Sequence, residues 1–338
     1  MRFAIIGAGA IGAYVGAALA RAGSDVTLVA RGPHLRAMQE RGVSVISARG
    51  DFHAHPAATD DCSEIGPVDC LIIALKAHQI AAMLPAMAAC MGPNTQVIAM
   101  QNGVPWWYFQ EHGGQLEGTV LQTVDPGGLL AKAFDSKRVI GCAVYCSTEI
   151  LEPGVIKHIE GTRFSLGHPN GEVTPELQKI SAALVEGGLK APIETDLRRD
   201  VWIKLLGNVC LNPISALTRA TLEDMATDRL VEPLLREMME ESYAIARRLG
   251  VHLDISIDKR IDGARRVGAH KTSTLQDIEA GRALEIDCIV GAVVEIGDLL
   301  DLPVAATRHV YALTKLLDAT TQRAAGDRLR ARELVVGA

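Results

Sequence analysis

Three polar residues recur every four positions in an otherwise apolar stretch, VWIKLLGNVCLNP at residues 201–213: Lys204, Asn208 and Asn212. Positions four apart on a helix lie one above another. A cation and two amides would therefore share one narrow strip of a segment whose other residues, among them Trp202, Leu205, Leu206 and Val209, favour burial. An ammonium held in such a place can stabilise negative charge developing on a bound molecule and deliver a proton to it. The competing account is structural: a solvated helix edge, or a hydrogen-bond network between helices. Pro213 cannot donate to the helical ladder, so the helix is expected to end or break beside Asn212.

A second group of residues points to a nucleotide. GAGAIG at residues 7–12 follows the apolar run RFAII and opens the small-residue stretch AYVGAALARAG, after which DVTLVA reads as another strand. This is strand, turn, helix, strand within about 30 residues, with G-x-G-x-x-G at the turn. Gly7 permits the tight turn, Gly9 lets backbone approach a pyrophosphate, and Gly12 lets helix and strand pack closely. The helix start at Ala10 and Ile11 offers free N–H groups and a positive dipole end. An NAD site usually carries Asp or Glu at the end of the second strand. Here that strand ends Val29-Ala30-Arg31, and Asp25 lies at its other end. Arg31 would welcome a 2′-phosphate, so NADPH is expected rather than NADH.

Two further apolar runs, at residues 68–79 and 95–104, end in polar residues: Lys76 and Gln79 after the first, Asn102 after the second. Ligands of open parallel sheets lie beyond the carboxyl ends of the strands, where all three would arrive. Strand-like pieces follow (TVLQTV, RVIGCAVYC, GVIKHI, RFSLGH), the later ones hairpin-like, and then a helix with Thr174 as N-cap and Pro175 at its first position. From residue 196 strand signals vanish. Helical patterns run over 196–211, 229–249 with Gly250 as its stop, and 274–300 with a break; the polar tail from residue 320 reads as loosely held. The expected architecture is a Rossmann dinucleotide-binding domain over 1–195 and an all-helical domain over 196–338, with substrate between them.

Bulk properties exclude other classes. The 338 residues are 48% hydrophobic and 4% aromatic with a net charge of -6, which disfavours nucleic acid. No signal peptide is recognisable, and no apolar run reaches the ~20 residues a span needs, so a cytoplasmic protein is expected. Seven cysteines without a CxxC read as reduced, buried side chains, and His53 and His55 as the solvated face of a strand. No metal site is expected.

Taken together, GAGAIG, the Arg31 ending, LKAHQ, QNG, W-x-K-x-x-x-N-x-x-x-N-P and STLQDIEAGRALEID resemble the ketopantoate reductase (2-dehydropantoate 2-reductase) family over nearly all of residues 1–318. The resemblance implies a 6-phosphogluconate-dehydrogenase-like helical C-terminal domain. It also implies NADPH-dependent reduction of 2-dehydropantoate to pantoate, on the route to pantothenate and coenzyme A. By resemblance Lys204 is the catalytic lysine, and Asn208 and Asn212 line the substrate pocket. Asn102 lies beside nicotinamide and substrate, Ser273 contacts the substrate carboxylate, Glu285 engages the substrate hydroxyl and the lysine, and Lys76 touches the cofactor. Hydride addition to a ketone places negative charge on oxygen, which an ammonium stabilises and protonates.

One feature departs from the family. A further substrate-contacting asparagine is expected near position 222, where this chain has Leu222. PWWYF at residues 105–109 adds bulk that either covers the substrate or packs in the core or a dimer contact. Two alternatives therefore stand beside the main reading: a related dehydrogenase for another 2-oxo or 2-hydroxy acid, and a non-enzymatic NADPH-binding sensor, which the presence of Lys204 and Glu285 opposes. The helical half carries enough apolar surface for a homodimer.

Overall fold

The apolar run that opens the chain is strand β1 (Arg2–Ile6) in the computed structural model, which describes residues 1–336. The glycine turn leads into α1 (Ala10–Arg21), then β2 (Asp25–Val29) and α2 (Gly32–Arg41). Short strands β3 (Val43–Ser47), β4 (Phe52–Ala54) and β5 (Ala57–Thr59) precede β6 (Cys70–Ile73), α3 (Ala77–Met87) and β7 (Gln96–Ala99). The short helix α4 (Leu129–Ala133) sits in a turn-rich stretch, followed by β8 (Val139–Glu152), β9 (Val155–Gly167) and α5 (Pro175–Glu186).

All nine strands form one sheet in the order β4-β3-β9-β8-β7-β6-β1-β2-β5. Every pairing from β8 through β7, β6, β1 and β2 to β5 is parallel. The carboxyl ends of β7, β6, β1 and β2 thus stand side by side, as a Rossmann-type sheet requires. β9 turns back antiparallel to β8, as the hairpin reading expects. Phe3 to Ile6 and Cys70 to Ile73 are wholly buried, the near-continuous apolar pattern of parallel strands covered on both faces. Leu19 and Val15 of α1 and Ile180 and Leu184 of α5 complete this core. Thr174 accepts from the Leu177 N–H at 3.2 Å and Pro175 opens α5, as its sequence predicts.

Two strand expectations need correction. TVLQTV at residues 119–124 is a turn, because the Leu121 carbonyl accepts from the N–H groups of both Val124 (3.1 Å) and Asp125 (2.9 Å). Its β-branched composition loses to turn chemistry beside Pro126-Gly127-Gly128. GVIKHI and RFSLGH belong to the single strand β9, which bends through Gly161 in a left-handed conformation, φ 70°. The PWWYF segment is core: Trp106, Trp107, Tyr108 and Phe109 are all buried. Arg198 holds it through hydrogen bonds from Nε to the Tyr108 carbonyl (2.8 Å) and from Nη2 to that of Gln110 (2.7 Å).

From residue 196 the described residues contain helices and no strand: α6 (Leu197–Thr218), α7 (Leu222–Thr227), α8 (Val231–Arg248), α9 (Ile257–Val267), α10 (Ser273–Glu279), α11 (Ala292–Leu299) and α12 (Ala305–Val336). Backbone proximity divides the chain into Met1–Asp200 and a second unit from Val201 on. Gly250, φ 79°, stops α8 as expected. The expected break at Pro213 does not occur, since α6 continues five residues further. An interior proline costs a helix about 3 kcal/mol. Against that, Ile214, Ser215 and Ala216 are buried, and Thr218 Oγ1 donates to the Ile214 carbonyl at 2.7 Å. The tail expected to be loose continues α12 to Val336.

By length and composition α6 alone among the described helices could cross a membrane, with a mean hydropathy of 1.2 over its apolar window, 72% of which is buried inside the protein. Lys204, Asn208 and Asn212 interrupt its apolar residues, and such burial is that of a core helix. All seven cysteines are free, and all but half-buried Cys146 are buried. His53 and His55 are exposed, as expected.

Candidate active site

The first cluster of expected site residues is the loop between β1 and α1. Gly7 adopts φ 92°, a conformation suited to glycine, and a Cβ there would press within 2.7 Å of Leu75 Cδ2. The Val29 carbonyl at the end of β2 accepts from the N–H groups of Gly7 (3.1 Å) and Ala8 (2.9 Å). Gly12 is packed so closely against the Gly7 carbonyl oxygen that a Cβ would overlap it. At Gly9, by contrast, a Cβ would meet nothing within 4 Å. Gly9 is the N-cap of α1 and has no side chain to answer the N–H groups of Ala10, Ile11 and Gly12. The loop is therefore held from behind and open in front, a cradle of N–H donors at a helix start that fits a pyrophosphate.

The remaining residues of this unit follow the adjoining strands. Arg31, exposed, is the N-cap of α2 just past β2. Asp25 stands at the opposite end of β2, 3.6 Å from Arg2. Lys76, half-buried, is the N-cap of α3 just past β6. Gln79 has a structural task there, since its Oε1 accepts from the Lys76 N–H at 3.3 Å. Asn102, half-buried, lies in the turn past β7 beside Gly103, φ 76°. Asn102, Lys76, the glycine loop and Arg31 thus succeed one another along four neighbouring strand ends.

The second cluster belongs to the helical unit. Lys204, Asn208 and Asn212 lie on successive turns of one face of α6, the first two half-buried and Asn212 6% exposed. Trp202, Leu205, Leu206, Val209 and Cys210 fill the other sides of the helix, each 1% exposed or less. The strip is the polar seam of a core helix.

Ser273, exposed, is the first residue of α10, behind the N-cap Thr272, which accepts from the Leu275 N–H at 3.1 Å. Glu285, half-buried, ends the six-residue gap after α10 and leads into a wide turn of π-helix, Asp287–Gly291, ahead of α11. One face of α12 grips both flanks of Glu285. Asp318 accepts from the Leu284 N–H at 3.2 Å. On the other flank Asp287 accepts from the Tyr311 hydroxyl at 2.6 Å and from Lys315 Nζ at 2.9 Å. Burial, then the hydrogen bond to Asp287, pushes the Tyr311 pKa up, so its hydroxyl remains a donor. Sequence reading missed this grip, although its signal, Tyr311, Lys315 and Asp318 at four- and three-residue spacing, is helical. The π turn has no signal in the residue types. Among the described residues no group of His, Cys, Asp and Glu could hold a metal ion.

Comparison with known proteins agrees over both units. Residues 3–171 match the family described as ketopantoate reductase PanE/ApbA, and residues 196–318 match its C-terminal counterpart. The chain is 46% identical to a 2-dehydropantoate 2-reductase of Mesorhizobium japonicum over 94% of this chain and 98% of the relative. Among solved structures it resembles 2-dehydropantoate 2-reductase from Geobacter metallireducens GS-15, at 26% identity and a TM-score of 0.82, covering 94% of this chain and 99% of that one. The enzyme of the same name from Methylococcus capsulatus gives 27% identity and a TM-score of 0.80 over 95% and 98%.

Proposed function

The chain belongs to the ketopantoate reductase family, and on that premise we propose that it reduces 2-dehydropantoate to pantoate with NADPH, a 2-oxo acid to a 2-hydroxy acid. The observation that carries this reading is the strip of Lys204, Asn208 and Asn212 on one face of an otherwise buried helix. Residues 1–195 hold the dinucleotide and residues 196–338 supply the groups that act on the substrate.

NADPH, when bound, supplies the hydride. The N–H groups of Ala10, Ile11 and Gly12 receive its pyrophosphate, and Gly7 and Gly9 shape the loop that admits it. Arg31 pairs with the 2′-phosphate through its planar fork of donors. Lys76, Gln79 and Asn102 contact the cofactor from the neighbouring strand ends, Asn102 also touching substrate. Lys204 directs its ammonium at the ketone oxygen, stabilises the charge that gathers there and donates the proton. Asn208 and Asn212 line the pocket and keep that ammonium oriented. Ser273 hydrogen-bonds the substrate carboxylate, and Glu285 accepts from the nascent hydroxyl and holds Lys204. A homodimer and a cytoplasmic setting complete the proposal, the former supported by the exposed Leu313 and Leu316 on α12.

Leu222 favours one second reading, a related reductase of a different 2-oxo acid. It stands where the family pattern has a substrate-binding asparagine, and its N–H donates to the His270 carbonyl at 3.0 Å. A panel of 2-oxo acids with NADPH, followed at the nicotinamide absorbance, separates the two readings by the acid with the highest kcat/KM. In the same assay Lys204→Ala is expected to lower kcat by about 10²–10⁴-fold with NADPH binding retained. Near-normal turnover by that variant would remove Lys204 from the reaction.

A further inference from the structure

Arg260, half-buried on α9, is a cation that no side chain answers. Among the described residues its guanidinium makes no salt bridge and no hydrogen bond. The two carboxylates nearest along its own helix are engaged elsewhere, Asp258 with Arg236 at 2.9 Å and Asp262 with Arg265 at 2.7 Å. The guanidinium lies instead against α6 at Gly207. A Cβ on Gly207 would overlap Arg260 Nη2 and come within 3.4 Å of Cζ and 3.8 Å of Nε.

That position borders the polar strip. Gly207 is three residues after Lys204 and one before Asn208. Side chains three apart on a helix begin about 5–6 Å from one another. Two of the groups that feel the charge of Arg260 are a thiol and a phenol, neither of which can neutralise it while uncharged. Burial pushes the Cys210 thiol up to about 12, with Arg260 opposing, so the thiol is neutral. Burial likewise raises the Tyr243 phenol, with Arg260 opposing and the Asp254 carboxylate adding to the rise, and its buried hydroxyl makes no hydrogen bond. A guanidinium that makes no ion pair and a phenol that makes no hydrogen bond, the former packed on α6 three residues after Lys204, leave donors that an anion can take. Glycine inside a helix is also destabilising relative to alanine, and at 207 the three atoms nearest an added Cβ all belong to this guanidinium.

We propose that Arg260 binds the carboxylate of the substrate at the border of the Lys204–Asn208 strip, and that residue 207 is glycine to admit its guanidinium. The inference rests on the reading of the chain as a 2-oxo acid reductase. It assigns the negative end of the substrate a cation as well as the Ser273 hydroxyl, and the planar fork of arginine matches a carboxylate in two parallel hydrogen bonds.

Arg260→Gln, Arg260→Lys and Gly207→Ala test it, assayed with the 2-oxo acid that the wild type reduces best and with the corresponding neutral amide. Arg260→Gln is expected to raise KM for the acid by about 10–100-fold, the size of a lost charge-assisted hydrogen bond, with kcat within about threefold and KM for NADPH unchanged. The preference for acid over amide should collapse, and Arg260→Lys should restore part of it. Gly207→Ala keeps the charge but displaces the flexible guanidinium. It should raise KM for the acid while Tm holds or rises, an outcome that loss of packing cannot produce. Unchanged KM for the acid in both Arg260→Gln and Gly207→Ala, or equal losses on acid and amide, would overturn the assignment while leaving the reductase reading intact. If the wild type reduces no 2-oxo acid with NADPH, both fall together.

Discussion

Arg31 is where cofactor choice is decided at the scale of one residue. It is exposed, it opens α2, and the carboxylate that could have taken its place for a ribose hydroxyl, Asp25, is at the wrong end of β2 beside Arg2. Removing its guanidinium should cost binding only to the dinucleotide that carries a 2′-phosphate. Arg31→Ala is therefore expected to lower kcat/KM for NADPH by about 10–100-fold, as for a charge-assisted pair, and to leave NADH nearly unaffected. An unchanged NADPH/NADH ratio would remove Arg31 from the site. The glycines show how much single residues reveal before any fold is known. The positive φ of Gly7 and the close approach at Gly12 follow from residue type and spacing, because only glycine satisfies either demand. Gly207 has no positive φ, and inside W-x-K-x-x-x-N it stands at a position the motif leaves open. Its reason is a guanidinium from α9, more than 50 residues away, and such a contact is written nowhere in the local pattern.

At the scale of elements, helical periodicity alone puts Lys204, Asn208 and Asn212 on one face, and α6 keeps them there. Proline chemistry read locally gave the wrong end for the same helix, since burial of Ile214 and Ala216 is a property of the folded unit. The turn at 119–124 failed for the converse reason. Its Val and Thr residues suit a strand, but a strand needs a partner edge, and the carbonyl of Leu121 is taken by the turn itself. Least legible was the segment around Glu285. A π turn widens the helix without any residue signature, and its hold comes from Tyr311, Lys315 and Asp318 on a separate helix. Tyr311→Phe leaves Asp287 with Lys315 alone. The variant should lower stability by about 0.5–1.5 kcal/mol. It should also lower kcat and shift the acid or alkaline limb of the kcat–pH profile, with KM for NADPH unchanged, if Glu285 depends on that grip for its place. A lower Tm with an unaltered kcat and pH profile would reduce Tyr311 to helix packing.

For the whole molecule, the groups withheld from water decide how stability responds to pH. Burial pushes the thiols of Cys90 and Cys210 up to about 11 and about 12, and the Tyr14 phenol to about 12. Cys70 and Cys288 are raised by burial as well. Both units carry such groups, Tyr14, Cys70 and Cys90 in the first and Cys210 and Cys288 in the second. In each case the folded state prefers the neutral form, and the unfolded chain ionises first, at the ordinary thiol value of 9.0 or phenol value of 10.0. A raised folded-state value contributes stability that is complete below the unfolded value and is lost as pH climbs toward the folded one. Stability is therefore expected to hold from pH 7 to about 8.5 and to decline from about pH 9 through 11, where thiolates form in the unfolded chain but not in the folded one. Tm or the urea midpoint, followed across that range under reducing conditions, measures this. Cys210→Ala provides the internal control. It lowers the baseline by opening a small cavity in α6, but it removes one ionising thiol, so its alkaline decline should be shallower than that of the wild type. A midpoint constant to pH 11, or an equal slope in Cys210→Ala, would mean that these thiols are not withheld from water.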